Sequence, residues 1–392
     1  MADFCSFSCA VPVRSLYVHV PFCAQKCEYC AFYSEAANGE VISRYVRALL
    51  REMELVHRDL KPETLFFGGG TPSLLNLQHW RKILETMERL ELLGAAEWTI
   101  ECNPATVSLD KAALWRECGV NRISMGVQSL DDQLLDRLGR VHSRQMVFKS
   151  YDLLRRAGFQ NINLDLMFGI PGQTLDVWRN TLAEVIQLGS EHLSCYEVIY
   201  EEDTPLFAQL QAGEFAVNED LNCAMYDELL NAARGANFHQ YEIANFAKQR
   251  SPLLEDVPGF GCRHNINYWR GGSYYGLGPS AASYVRGVRM KNWSNTGLYC
   301  QRLERGCRAI ESHEELSPLK RAGETAAFGL RMNAGWEFDR FNRATGFDLR
   351  HEWATEIGEL VASGWADVTD RRFHLTETGL RFADAAAEKF LR

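Results

Sequence analysis

LYVHVPFCAQKCEYCAF, residues 16–32, joins a β-branched apolar run to three closely spaced cysteines. The run from Ser15 to Val20 reads as a buried strand. Directly after it, Cys23, Cys27 and Cys30 stand four and three residues apart, so a single loop can wrap three thiols round one centre. Thiolates are the soft ligands that iron-sulfur clusters use. Three of them leave one iron of four open, and a small molecule offering an amine and a carboxylate could chelate it. Structural zinc is the competing reading of the triplet. It usually takes four protein ligands, and no second cysteine pair lies nearby. His19 is the nearest other donor, and its position in the strand beside Tyr17 assigns it to packing.

Outward from this loop, short apolar runs alternate with amphipathic stretches as far as Glu197. Strands are expected at 15–20, 64–67, 97–101, 122–126, 162–168 and 192–198. Between the first two, Ile42, Val46, Leu49, Met53 and Val56 recur at steps of three and four, which places them on one helix face. Further helices are expected at 77–90, 109–118, 131–138, 143–157 and 174–188. Six strand-helix repeats imply a parallel sheet, because parallel neighbours need a crossover, and curling that sheet gives a partial barrel. Ligands of such sheets lie at the C-terminal strand ends. The organisation expected is an arm at 1–14, the α/β partial barrel and its extension at 15–245, a glycine- and aromatic-rich segment at 246–310, and a C-terminal α+β unit at 311–392. That unit combines a helix at about 349–363, a short hairpin and a helix at 378–391, which is a winged-helix pattern.

Charge argues against nucleic acid as a partner. The 392 residues include 51 acidic and 42 basic side chains, for a net charge of −9, and residues 350–392 carry six basic against eight acidic groups. The basic footprint that a DNA-binding wing needs is missing. No run of about 18 apolar residues is present, and Asp3 stands where a secretory signal would place a cation, so a cytoplasmic protein without membrane insertion is expected. The twelve cysteines are spread through a large acidic chain, which fits a reducing compartment better than a disulfide framework. Cys5 and Cys9, in the N-terminal arm, read as ordinary free thiols.

The cysteine stretch, followed by LFFGGGTPS, ECNP, RISMGVQS, LGR and NLDLMFGIPGQT, resembles the radical S-adenosylmethionine superfamily. Within it the likeness is to the coproporphyrinogen oxidase-like branch, and within that to the HemW heme chaperones. The resemblance implies a radical SAM partial barrel and a 4Fe-4S cluster on Cys23, Cys27 and Cys30. It also implies that a reduced cluster passes an electron to the sulfonium of S-adenosylmethionine and releases a 5′-deoxyadenosyl radical. An electron donor such as flavodoxin or ferredoxin would supply the cluster. On its own, GGGTPS could cradle a phosphate, but it lacks the ending of a P-loop. In the family reading Gly69, Gly70 and Thr71 meet the methionine amine. Glu101, Gln128, Arg140 and Asp165 match the pattern for the rest of S-adenosylmethionine, with the Arg140 guanidinium suited to the carboxylate. Tyr17 and Tyr29 match positions that contact the cofactor, and Tyr29 serves equally well as packing.

The same resemblance separates a heme carrier from an enzyme. The oxidase branch has a further cysteine two residues after the triplet and a longer N-terminal arm; here Phe32 takes that place. The HemW-like branch carries His-Asn-x-x-Tyr-Trp, present as His264-Asn265-Ile266-Asn267-Tyr268-Trp269. A neutral imidazole can ligate heme iron, which makes His264 the axial candidate. Ala282 stands where many relatives have a second histidine, leaving Cys262 or a single axial ligand. The function expected is heme binding and delivery to an acceptor protein. Coproporphyrinogen III oxidation and another radical reaction such as methyl transfer are the alternatives.

Overall fold

The computed structural model describes residues 11–36, 38–250 and 257–392, so Cys5 and Cys9 lie outside the described residues. Strand β1 (Val13–Val20) runs into the two-residue strand β2 (Phe22–Cys23), which pairs in parallel with β3 (Glu35–Ala36) and closes the base of the cysteine loop. Then come β4 (Leu60–Gly69), β5 (Glu97–Cys102), β6 (Arg122–Gln128), β7 (Ile162–Phe168) and β8 (His192–Glu197). All five lie parallel beside β1, in the order β1-β4-β5-β6-β7-β8.

The crossovers are α1 (Gly39–Val56), α2 (Leu77–Arg89), α3 (Leu109–Glu117), α4 (Asp132–Arg137), α5 (Arg144–Arg156) and α6 (Leu175–Leu188). Helix α1 begins where the Asn38 side chain accepts hydrogen bonds from the Glu40 and Val41 amides, which would otherwise lack partners. Its predicted face, Ile42, Val46, Leu49, Met53 and Val56, is buried against the sheet.

Alternation in the strands sorts core from lumen. Along β6 and β7, Ile123, Met125, Val127, Ile162, Leu164 and Leu166 join the main apolar core. The intervening Arg122, Ser124, Gly126, Gln128, Asn163, Asp165 and Met167 all face one interior cavity. Apolar residues thus clamp the helices, and polar ones are left to line the barrel.

The sheet is wider than the six strands read from the sequence. Past α7 (Pro205–Gln211) and α8 (Glu219–Gly235), β9 (Phe238–Glu242) and β10 (Asn245–Lys248) form a hairpin that adds antiparallel to β8. After α9 (Arg263–Trp269), β11 (Tyr275–Leu277) adds parallel to β1, completing nine strands. Strand β11 has three residues among glycines, too short for any period to register. Strands β12 (Ala282–Val285), β13 (Val288–Asn292) and β14 (Ile310–Glu315) form a second, antiparallel sheet that contains Ala282.

The C-terminal unit has its own core, from Ala322 to Phe390, and a three-stranded sheet of β15 (Trp336–Glu337), β16 (Ala366–Val368) and β17 (Arg372–Leu375). The expected hairpin is β16–β17. Each expected helix is broken once, the first at Trp353 and the second at Phe382, where the backbone leaves helical geometry.

Candidate functional site

A cavity of about 600 Å³ opens at the C-terminal ends of the parallel strands. The cysteine loop forms one side of its mouth. Backbone bonds pin the middle of that loop, since Glu28 N donates to Leu138 O (3.0 Å) and Leu206 N donates to Glu28 O (2.9 Å). The Cys23, Cys27 and Cys30 side chains all line the cavity. Thr71 Oγ1 donates toward Cys23 Sγ at 3.6 Å, and Arg140 Nη1 toward Cys27 Sγ at 3.4 Å. Burial, assisted by its two neighbouring thiols, pushes the Cys30 thiol up. Without a cation beside them, these three thiolates would repel one another.

Gly69 and Gly70 are needed mainly by the chain itself. Gly69 has a φ of +102°, and a Cβ there would lie 2.4 Å from the His19 ring. A Cβ on Gly70 would lie 2.8 Å from the backbone of Val20 and Phe22, because Gly70 N bonds to Val20 O (2.9 Å) and Thr71 N to Phe22 O (2.7 Å). The glycines therefore dock the cysteine loop onto β4, which brings Thr71 to Cys23.

Across the mouth, Arg140 donates through Nη2 to Gly126 O (2.8 Å), while its buried Nε finds no partner among the described residues. Gln128 ends β6 with a φ of +64°, a left-handed conformation that costs energy outside glycine and is common at ligand sites. Glu101 Oε2 accepts from Gly69 N at 3.1 Å, and burial, with Asp165 nearby, pushes its carboxyl up to about 8. Asp165 accepts from Asn163 Nδ2 (2.7 Å), and burial pushes it up to about 6. Tyr29 also lines the cavity, and it packs against the apolar cluster that includes Leu134, Leu138 and Met167.

Two nominated residues do not reach the cavity wall. Tyr17 Oη bonds His19 Nδ1 (2.9 Å), whose Nε2 bonds Tyr33 O (2.9 Å), so both rings are used in holding the loop. His264, on α9, packs its ring against Phe66 (5.2 Å between centroids) and Tyr17 (6.4 Å). Thr64 Oγ1 donates to Ser15 Oγ (2.8 Å) and so accepts from His264 Nδ1–H (3.1 Å), which leaves Nε2 as a bare lone pair. Burial, with the Arg122 charge, lowers His264 to about 4, so the ring is neutral. The motif neighbour that does line the cavity is Asn265. Sequence reading also passed over Arg122, Ser124, Asn163 and Ser194, which two-residue alternation from Gln128, Asp165 and Tyr196 would have placed on the same face.

Residues 17–185 match the Radical SAM superfamily, and residues 316–382 match the HemN C-terminal domain. The heme chaperone HemW of Bacillus subtilis is 32% identical over 97% of this chain and 99% of its own length. HemW of Escherichia coli is 33% identical over the same shares. The chain belongs to the HemW family. Its fold is that of coproporphyrinogen III oxidase (HemN) from Escherichia coli, a radical SAM enzyme, with a TM-score of 0.81 and 21% identity over 97% of this chain and 90% of that one. Membership of a radical SAM family implies a 4Fe-4S cluster and S-adenosylmethionine. The cavity of this HemW-family chain fits both, with three thiols on one pinned loop facing a guanidinium whose Nε lacks a partner among the described residues. Among the described residues no helix is long and apolar enough to cross a membrane.

Proposed function

We propose that this chain is a cytoplasmic heme-binding chaperone that carries a 4Fe-4S cluster on Cys23, Cys27 and Cys30 and binds S-adenosylmethionine in the same cavity. The observation that carries this reading is kinship with heme chaperones along nearly the whole chain, including the C-terminal unit. When bound and reduced, by a donor such as flavodoxin or ferredoxin, the cluster supplies an electron to the organic cofactor.

The chain's own groups divide the remaining work. Thr71 and Arg140 donate toward two of the thiols and orient them. The Arg140 Nε is left to grip the methionine carboxylate, and a planar fork matches a carboxylate well. Gly69, Gly70 and Thr71 meet the amine, while Glu101, Gln128 and Asp165 serve the ribose and the charged end. Tyr29 walls the site, and Tyr17 supports it through His19. His264 is the axial heme candidate on the chemistry of its bare, neutral Nε2.

The test is anaerobic reconstitution with iron and sulfide, followed by parallel assays. The expected protein retains heme, passes it to an apo-acceptor and leaves coproporphyrinogen III unconsumed. Conversion of coproporphyrinogen III over several turnovers, with 5′-deoxyadenosine released in proportion, would make the oxidase reading the better one.

A further inference from the structure

The cofactor reading uses the upper part of the cavity and leaves a cation below it without a role. Arg122 is the first residue of β6, is 2% exposed, and lines the cavity. At about 3.3 Å per residue of parallel strand, its backbone lies roughly 20 Å along the barrel from Gln128. A guanidinium has five N–H donors and cannot lose its charge. Among the described residues its single hydrogen bond runs from Nη1 to Thr99 Oγ1 at a long 3.4 Å, and Nε has no partner.

The acids near it are committed elsewhere. Glu97 accepts from the Arg263 amide (2.9 Å), the His264 amide (3.0 Å) and the Cys262 thiol (3.6 Å), which fastens the start of α9 beneath the barrel. Asp165 is held by Asn163 and Ser124, and Glu101 by Gly69 N. A buried charge without a contact partner is costly, and proteins normally pair it. Asn265 reaches the same cavity from α9, whose start is fastened to Glu97 at the strand starts, and no hydrogen bond engages its side-chain amide among the described residues.

We infer that Arg122 and Asn265 form an anion subsite at the floor of the barrel, filled by the carboxylate of a ligand that enters the lumen below the S-adenosylmethionine position. A guanidinium offers a carboxylate two parallel N–H bonds, and the Asn265 amide on the same cavity wall offers a third donor. Because burial keeps Glu101 mostly protonated at neutral pH, the lumen holds less negative charge than its formula suggests and admits one more anion. The carboxylate belongs either to a porphyrin propionate or to a free organic acid.

The full chain, reconstituted without oxygen, is melted with sodium propionate or with neutral propionamide at matched ionic strength. Propionate should raise the melting temperature and propionamide should not. Arg122→Lys should keep part of the shift and Arg122→Gln should lose it. Because a buried arginine variant can fail to fold, Asn265→Asp provides the second arm. It leaves Arg122 in place, adds a negative charge on the floor, and should also abolish the shift. Equal shifts from the two probes, no shift in the wild type, or the same propionate shift in Arg122→Gln and Asn265→Asp would each overturn the subsite. Heme and its dimethyl ester then identify the source. A tenfold weaker ester in the wild type but not in Asn265→Asp assigns the site to a porphyrin propionate, whereas equal affinities assign it to a free acid. A wild type that binds no heme at all would count against the chaperone reading and leave the propionate result standing.

Discussion

The mouth and the floor of the barrel hold polar groups in different ways. At the mouth, the groups that face the cysteine thiols reach them only through long bonds, Arg140 to Cys27 at 3.4 Å and Thr71 to Cys23 at 3.6 Å. At the floor, groups from strand starts bond one another tightly. Glu97 holds the Cys262 thiol and the first two amides of α9, and His192 lies between Asn163 (2.6 Å) and Tyr241 (2.8 Å). Partnered polar groups stiffen a structure, and loosely partnered ones are available to a ligand. The mouth is therefore where substitutions should change binding, and the floor, apart from Arg122 and Asn265, is where they should change stability.

The largest effect expected is at the floor. Glu97→Ala strips the start of α9 of three buried contacts and should destabilise the protein by about 3 to 5 kcal/mol in urea denaturation. A loss below about 1 kcal/mol would show that the floor is held by other means.

At the mouth, Arg140→Ala and Asp165→Ala should leave the cluster in place and weaken S-adenosylmethionine by about 1.5 to 3 kcal/mol, roughly ten- to a hundredfold. Anaerobic calorimetry that returned wild-type affinity for both would break the division between the two regions.

A third effect concerns pH. With its carboxyl pushed up to about 8, Glu101 is protonated at neutral pH in the ligand-free protein, whereas a cationic ligand favours the carboxylate. Binding then releases a proton, so S-adenosylmethionine affinity should climb from pH 6 to about 8 and level off above that. Glu101→Gln should flatten the profile, and an equally steep profile in that variant would assign the proton elsewhere.

The smallest effect tests the heme ligand. His264→Ala should lower heme affinity severalfold and alter the Soret band, while His57→Ala should do neither. If both variants behave as wild type, the axial assignment is withdrawn.

The cysteine loop was legible because everything it needs is local. The spacing of Cys23, Cys27 and Cys30 already restricts the thiols to one loop, and the preceding strand fixes where that loop leaves the sheet. The six repeats were legible for a similar reason, since each helix face is written in its own few turns. The orientation of α9 was not. Whether His264 or Asn265 faces the lumen depends on how a seven-residue helix sits on Glu97, a residue 167 positions earlier, and no period in HNINYW encodes that. Nor could glycine content distinguish Gly70 as a ligand contact from Gly70 as the seat of the cysteine loop, because both uses require the same missing Cβ.

The most direct test is iron and acid-labile sulfide in the anaerobically reconstituted chain and its single-cysteine variants. Wild type, Cys5→Ala and Cys9→Ala should each hold a full 4Fe-4S complement, and Cys23→Ala, Cys27→Ala and Cys30→Ala should lose it. Unchanged cluster content in Cys27→Ala would contradict the assignment of this cavity as the cluster site.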